Sequence, residues 1–200
     1  MGNSVIIKAP PSGGLLYAHL LPHFAAHFPE GTVAVLFGDG ERLLGPMMDS
    51  GLIDVFAFIG SSAVADALIA RHPYPHRLHN VLGLEAKNAA IIFPDAPMDI
   101  TVTECVKGAL AFNGQRCAAI KIILVHEDAA AVLIARMTEE LNRIEPGMPW
   151  EDVRCTPISS LEHAEWLEEL LGDAISLGAT IRNTGGGERV HTLMRPALLT

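Results

Sequence analysis

The strand candidates of this chain are short runs of consecutive apolar residues, and this pattern restricts the fold more than any other feature. Residues 5–8, 33–37 and 55–59 are apolar almost throughout and do not alternate with polar residues. Strands of this kind are buried on both faces, which occurs when helices cover both sides of a parallel sheet. Helix-prone stretches at 15–28 and 63–71 follow the first and third runs. The sequence therefore predicts an α/β protein with a parallel sheet.

The rest of the chain continues the alternation of strands and helices. Further strands are predicted at 81–84, 89–93, 122–125 and 180–182. Further helices are predicted over 98–111, 127–144 and 160–177, and Pro22 is a candidate break in the first helix. Three strands with their helices form half of a doubly wound nucleotide-binding sheet, and both ends of the chain look cut. We therefore expect an internal fragment of a larger protein, with a domain boundary at 84/85.

The charge balance limits the partners that this chain can bind. Its 200 residues carry 14 Lys and Arg against 23 Asp and Glu, which gives a net charge of −9. A nucleic-acid binder needs a basic face to replace the counterions on phosphates, and an anionic membrane makes a similar demand. We therefore expect neither nucleic-acid nor membrane partners.

Cysteine usage and the chain's first residues bear on its compartment. Three cysteines, an odd and low number, argue against a disulfide framework and favour a reducing compartment. The N-terminus lacks the layout of a signal peptide, and no uncharged apolar run approaches the roughly 20 residues that span a bilayer. We therefore expect a cytoplasmic protein.

His72 and His76 lack the third ligand of a zinc site, so no metal is predicted.

A cysteine in a loop of small residues is the strongest candidate for chemistry. Cys117 follows a predicted helix, precedes a predicted strand and stands beside Arg116. An adjacent guanidinium and open backbone amides favour the thiolate, which is the form that attacks carbonyls. The alternative is that Cys117 is a small buried apolar residue, as free cysteines often are. Spacing alone leaves both interpretations open.

The stretch Gly114-Gln115-Arg116-Cys117 resembles the catalytic-cysteine motif of the aldehyde dehydrogenase superfamily. Other landmarks of that superfamily follow the same order along essentially the whole chain. They are the strand 5–8 ending in a lysine, the turn 38–40, the pyrophosphate segment 58–61, the segment 82–88 that is similar to Glu-Leu-Gly-Gly-Lys, and the later Thr156-Pro157 and Gly185-Gly186. The resemblance implies an aldehyde-dehydrogenase-like α/β fold. Residues 1–84 would be part of a Rossmann-like cofactor domain, and 85–200 part of the catalytic domain.

The resemblance also implies a mechanism and a cofactor site. The Cys117 thiolate would add to an aldehyde, hydride would pass to NADP or NAD, and water or another acceptor would release the thioester. The cofactor-binding residues would be Lys8, Gly38, Gly60, Ser61 and Leu84, with Lys8 at the adenosine ribose, Gly60 and Ser61 at the pyrophosphate and Leu84 near the nicotinamide. Without the resemblance, Lys8 would be interpreted as an exposed lysine at a strand end, Gly60 as an ordinary turn and Leu84 as a core residue.

Two departures from the family pattern bear on the general base and the cofactor. When Lys87 is aligned, the family's general-base glutamate falls at Gly83, which has no side chain to accept a proton. Glu85 lies two residues further on, on the same side of an extended segment, and is the candidate substitute. Pro11 stands where NAD-preferring relatives often carry a glutamate, so the resemblance favours NADP and leaves NAD open.

Residues near Cys117 also bear on the substrate. Arg116 is suited to binding a phosphate, and its surroundings resemble those of non-phosphorylating NADP-dependent glyceraldehyde-3-phosphate dehydrogenases. Local packing of Arg116 is the alternative. The missing base at Gly83 fits the CoA-acylating semialdehyde dehydrogenases at least as well as it fits the glyceraldehyde-3-phosphate dehydrogenases. A poorly active fragment of either enzyme is the third interpretation. The full-length parent is expected to be a homo-oligomer.

Overall fold

The computed structural model describes residues 2–200, which form two compact units. The first unit ends at Glu85, and the second begins at Ala86. Each unit has its own parallel strands, helices and buried apolar cluster. None of the helices between residues 2 and 200 combines the length and the apolar character needed to cross a bilayer.

The first unit alternates strands and helices, as the apolar runs predict. Its elements are β1 (Val5–Lys8), α1 (Leu15–His27), β2 (Val33–Leu36), α2 (Gly40–Asp49), β3 (Val55–Gly60), α3 (Ser62–Arg71) and β4 (His79–Leu84). β1 pairs with β2 and β3 pairs with β4, and both pairs are parallel. The predicted α/β class is confirmed, and its strands form two-stranded pairs rather than one continuous sheet.

A small apolar cluster and one buried histidine hold the first unit together. Met48, Phe56, Leu68 and Leu78 form the cluster. His72 is also buried, with Nε2 3.1 Å from the Ile53 carbonyl and Nδ1 accepting a hydrogen bond from the Tyr74 amide at 3.1 Å. His72 is thus a hydrogen-bonded core residue that ties the end of α3 to the start of β3.

Two features of the first unit differ from the predicted elements. Helix α2 was not predicted, because Gly40, Gly45 and Pro46 all disfavour a helix. The Asp39 carboxylate caps it by accepting a hydrogen bond from the Arg42 amide at 3.0 Å. The break expected at Pro22 is wrong, since α1 continues past it to His27.

The second unit begins with one parallel strand pair and ends in a hairpin. Its elements are β5 (Asn88–Ile92), α4 (Met98–Leu110), β6 (Ile120–Val125), α5 (Glu127–Asn142), α6 (Leu161–Ser176), β7 (Arg189–Val190) and β8 (Leu193–Met194). β5 and β6 are parallel, as predicted. The antiparallel hairpin β7–β8 was not predicted, and the strand expected at 180–182 is a single bridge between Ile181 and Leu199. Both segments are too short to show a hydrophobic period.

The apolar core of the second unit is built mainly from one face each of α4 and α5, with one residue of β5 and two residues beyond α5. Its buried members are Ile92, Val102, Cys105, Val106, Leu133, Met137, Leu141, Ile144 and Cys155. On α5 the buried residues Leu133, Met137 and Leu141 recur every four positions, which is one face of a helix. Leu133 is only 2% exposed, whereas its neighbour Val132 is 48% exposed.

Leu133→Ala should lower the free energy of unfolding of the second unit by about 2–5 kcal/mol, because it leaves a cavity in a closed core. Val132→Ala on the same helix should change it by about 0.5 kcal/mol or less. Tryptophan fluorescence in urea measures this, since Trp150 and Trp166 both lie in the second unit. Equal losses in the two variants would contradict this assignment of the core.

Candidate active site

The cofactor-binding candidates of the first unit lie where its strands end. Lys8 is the last residue of β1 and stands opposite Leu36 of β2. Gly60 is the last residue of β3 and stands opposite Leu84, the last residue of β4. Because each pair is parallel, Lys8 lies at the carboxyl edge with the end of β2, and Gly60 lies beside Leu84. In open α/β sheets, ligands bind outside this edge.

The turn after β2 brings the Lys8 ammonium beside the start of α2. Gly38 has φ +141°, a conformation that favours glycine, and a Cβ there would lie 3.3 Å from Leu43 Cδ1. A Cβ built on Gly40 would lie 3.7 Å from Lys8 Nζ. The sequence therefore folds the turn so that the lysine lies against bare backbone at a helix N-terminus.

The start of α3 has the features of an anion-binding helix end. Ser61 caps the helix, with its hydroxyl oxygen accepting from the Val64 amide at 3.3 Å. A Cβ on Gly60 would lie 2.5 Å from Phe58 Cζ, so any larger residue there would have to displace the Phe58 ring. The Ser62 amide donates to Glu85 Oε2 at 2.7 Å. A carboxylate thus already accepts a hydrogen bond at this helix end, and helix N-termini in general attract anions such as phosphates.

Glu85 lies in surroundings that favour its ionised form. Hydrogen bonds from its own backbone N–H and from Ser62 hold the pKa of Glu85 below its ordinary value, against an opposing effect of desolvation. A general base works best when its pKa lies near the operating pH, so this contact weakens the carboxylate as a base. At Gly83, a Cβ would meet Ile59 Cγ1 at 3.4 Å, an ordinary contact. The backbone there has room for a side chain that the sequence does not supply.

The loop before Cys117 has a strained backbone. Phe112, Asn113 and Gly114, in a short 3-10 turn at Ala111–Gly114, have φ of 55°, 56° and 70°. Positive φ costs a residue other than glycine about 1–3 kcal/mol, so surrounding contacts must impose it. Asn113 supplies them: its Nδ2 donates to Thr156 Oγ1 and its Oδ1 accepts from the Thr156 amide, both at 2.9 Å.

Cys117 is the one exposed thiol of the three. Its carbonyl accepts a hydrogen bond from Asn88 Nδ2 at 2.5 Å, and the same Nδ2 donates to the Ala119 carbonyl at 3.1 Å. The backbone after the motif is therefore fixed from β5, while the thiol stays accessible. Cys105 and Cys155 are buried, and burial raises the pKa of both thiols, an effect that Arg195 opposes at Cys155.

Arg116 projects from the same loop without a carboxylate partner. Its Cζ lies 5.6 Å from the centroid of the Phe112 ring, a cation–π contact. No carboxylate of residues 2–200 lies within ion-pair distance of its guanidinium. This contact leaves the guanidinium N–H groups available to an anion, so both interpretations of Arg116 stay predictions.

Three polar residues of the site had no predicted role, namely Asn88, Asn113 and Thr156. The tolerance of asparagine for positive φ was the available signal at Asn113, since it precedes a glycine in the loop. The pairing of Asn113 with Thr156 joins residues 43 apart and has no local signature. For residues 2–200, no group of three or more His, Cys, Asp or Glu side chains is arranged to hold a metal ion.

The chain is an α/β protein with an exposed cysteine on a strained loop, and solved structures share its fold. The NADP-dependent glyceraldehyde-3-phosphate dehydrogenase of Bacillus halodurans, complexed with NADP, superposes with a TM-score of 0.87 at 30% identity over 99% of this chain and 41% of that one. A betaine aldehyde dehydrogenase of Staphylococcus aureus shares the fold, with a TM-score of 0.90 at 23% identity over 98% of this chain and 40% of that one.

The sequence profile of the aldehyde dehydrogenase family matches residues 1–200, and the chain belongs to this family. It is 30% identical over 199 residues to an NADP-dependent glyceraldehyde-3-phosphate dehydrogenase of Scenedesmus vacuolatus, covering 99% of this chain and 83% of that relative. It is 29% identical over 180 residues to the pea enzyme of the same name, covering 90% of this chain and 36% of that relative. The chain thus spans about a third of the pea enzyme's length. The family resemblance seen in the motifs is confirmed.

Iodoacetamide at neutral pH should label Cys117 at least about tenfold faster than Cys105 or Cys155, because only its thiol is exposed and burial disfavours the other two thiolates. Peptide mass spectrometry after timed quenching gives the three rates. Unfolding in guanidinium is the control and should bring the rates together. Equal labelling in the folded chain would show that the loop is not formed as described.

Proposed function

We propose that this chain carries the nucleophile and part of the cofactor site of an NADP-dependent aldehyde dehydrogenase acting on a phosphorylated aldehyde such as glyceraldehyde 3-phosphate. The observation that carries the proposal is the exposed Cys117 on a loop clamped by Asn113 and Asn88. Relatives in the family, from Bacillus halodurans to pea, are named for this NADP-dependent reaction. The parent protein is proposed to be cytoplasmic and homo-oligomeric.

Cys117 is the nucleophile in this proposal. Its thiolate adds to the aldehyde carbonyl, and the carbonyl oxygen takes the electron pair of the broken π bond. A bound oxidised NADP or NAD would supply a hydride acceptor for the aldehyde hydrogen, and the C–S adduct would then become a thioester. Hydrolysis then breaks the C–S bond, releases the acid and returns the thiolate. The hydrogen bond from Asn88 to the Cys117 carbonyl fixes the backbone that presents the sulfur.

The first unit supplies candidate groups for each part of the cofactor. Gly60, Ser61 and the first amides of α3 suit the pyrophosphate, because one of these amides already binds a carboxylate. Lys8 and the Gly38 turn suit the adenosine ribose, and Leu84 suits the nicotinamide end. Pro11 places no carboxylate against a 2′-phosphate, which supports NADP over NAD.

Glu85 is the proposed base for hydrolysis, and it must leave the Ser62 amide to act. While it accepts that hydrogen bond, its lowered pKa makes it a poor proton acceptor. Gly83 offers no alternative. A CoA thiol depends less than water does on a general base when it attacks a thioester. Gly83 is therefore the specific observation that favours the CoA-acylating alternative.

Oxidation without an efficient base should leave the acyl group on the enzyme. We expect glyceraldehyde 3-phosphate plus NADP to give an acyl adduct on Cys117, detected by intact-mass and peptide mass spectrometry. NADPH appearing in one burst, followed by slow turnover, should accompany it. CoA discharges the adduct rapidly only under the CoA-acylating alternative.

Cys117→Ala is the control and should abolish both the adduct and the burst. An adduct that forms without NADP would be a simple thiol addition product, not a thioester. Absence of a NADP-dependent adduct in the folded chain would mean that these 200 residues do not catalyse the reaction by themselves, which is the inactive-fragment alternative.

Arg116→Gln should raise the concentration of glyceraldehyde 3-phosphate that gives half-maximal adduct by about 10-fold or more, through loss of a charge-assisted phosphate contact. Unphosphorylated glyceraldehyde should be unaffected. Arg154→Gln, an exposed arginine of the same unit, is the matched control. A similar loss with both aldehydes would assign Arg116 to loop packing on Phe112 instead.

A further inference from the structure

The contact between Glu85 and Ser62 uses a donor that the proposed cofactor site needs. Ser62 is the first residue of α3, and its amide has no partner within the helix. Glu85 Oε2 accepts from this amide at 2.7 Å, while the Ser61 hydroxyl accepts from Val64 at 3.3 Å. The protein's own carboxylate therefore occupies the end of α3 when no other anion is present.

A carboxylate and a pyrophosphate cannot both accept the same N–H group at full strength, and they repel each other. The hydrogen bonds that Glu85 accepts favour its ionised form, so it is an anion at neutral pH. Its side chain is exposed, and it follows the last residue of β4. Glu85 can therefore move into water without unpacking any part of the core.

We propose that Glu85 is an internal competitor of the cofactor pyrophosphate, which occupies the Ser62 amide in the free protein and is displaced when the dinucleotide binds. This inference rests on the proposed function, in which the start of α3 receives the pyrophosphate. Cofactor binding then has two effects on one carboxylate: it breaks the hydrogen bond to Ser62 and releases Glu85 into solvent. Glu85 thus lowers cofactor affinity and, once displaced, regains the basicity that the contact had removed.

The dissociation constant of NADP tests the competition directly. Isothermal titration of the full 200-residue chain should give about tenfold tighter binding for Glu85→Ala and Glu85→Gln, which remove the competing charge. Glu30→Gln, an exposed glutamate of the same unit with the same change in net charge, should leave the constant unchanged. Amide hydrogen exchange provides a second readout: Ser62 should exchange faster in Glu85→Ala, and NADP should slow it again.

Each outcome separates this inference from the proposed function. Equal NADP affinity in the wild type and both Glu85 variants would overturn the competition and leave the proposed cofactor site standing. Weaker binding in the variants would show that Glu85 supports the cofactor instead, and would also overturn it. Absence of binding by every variant and the wild type, all folded by circular dichroism, would overturn the cofactor site and the competition together.

Discussion

The candidate site depends most on the paired hydrogen bonds between the Asn113 side chain and Thr156. They join a loop to a segment 43 residues later and hold Phe112 and Asn113 at positive φ. Without them the loop would relax toward ordinary backbone conformations, because two residues other than glycine bear the strain. Asn88 fixes the other side of the motif through the Cys117 and Ala119 carbonyls. The exposed thiol is therefore presented by a backbone that is held on both sides.

In the first unit, the candidate cofactor-binding residues are positioned by the ends of parallel strands and the starts of helices. Lys8 ends β1 and lies beside the start of α2, whereas Gly60 ends β3 and Ser61 caps α3. Helix N-termini attract anions, and in this chain the nearest anion is Glu85. The same residue is thus the candidate base by its place in the motif and a ligand of α3 by its geometry. Both roles depend on whether an external phosphate takes its place.

Most of the fold was predictable because most of its strands and helices have a signal in their own local sequence. The strands 5–8 and 122–125 and the helices that begin near residues 15, 63, 98, 127 and 161 follow from apolar runs and helix-prone stretches. Helix α2 was missed because the Asp39 cap outweighs two glycines and a proline in a way that propensity does not reveal. In the site, residue type and the resemblance to the aldehyde dehydrogenase motif single out Cys117 and Arg116 as candidates, and their roles stay predictions. The Asn113 clamp and the Glu85–Ser62 contact join distant residues, so no local pattern could predict them.

We propose that the clamped loop is what makes Cys117 a nucleophile. The most direct measurement is the yield of NADP-dependent acyl adduct on Cys117 in Asn113→Ala, compared with the wild type at equal protein concentration. Both proteins are first checked for equal folded fraction by circular dichroism. If the clamp positions the thiol, the folded variant should lose most of the adduct. An unchanged yield would contradict it, because the nucleophile would then work without the clamp.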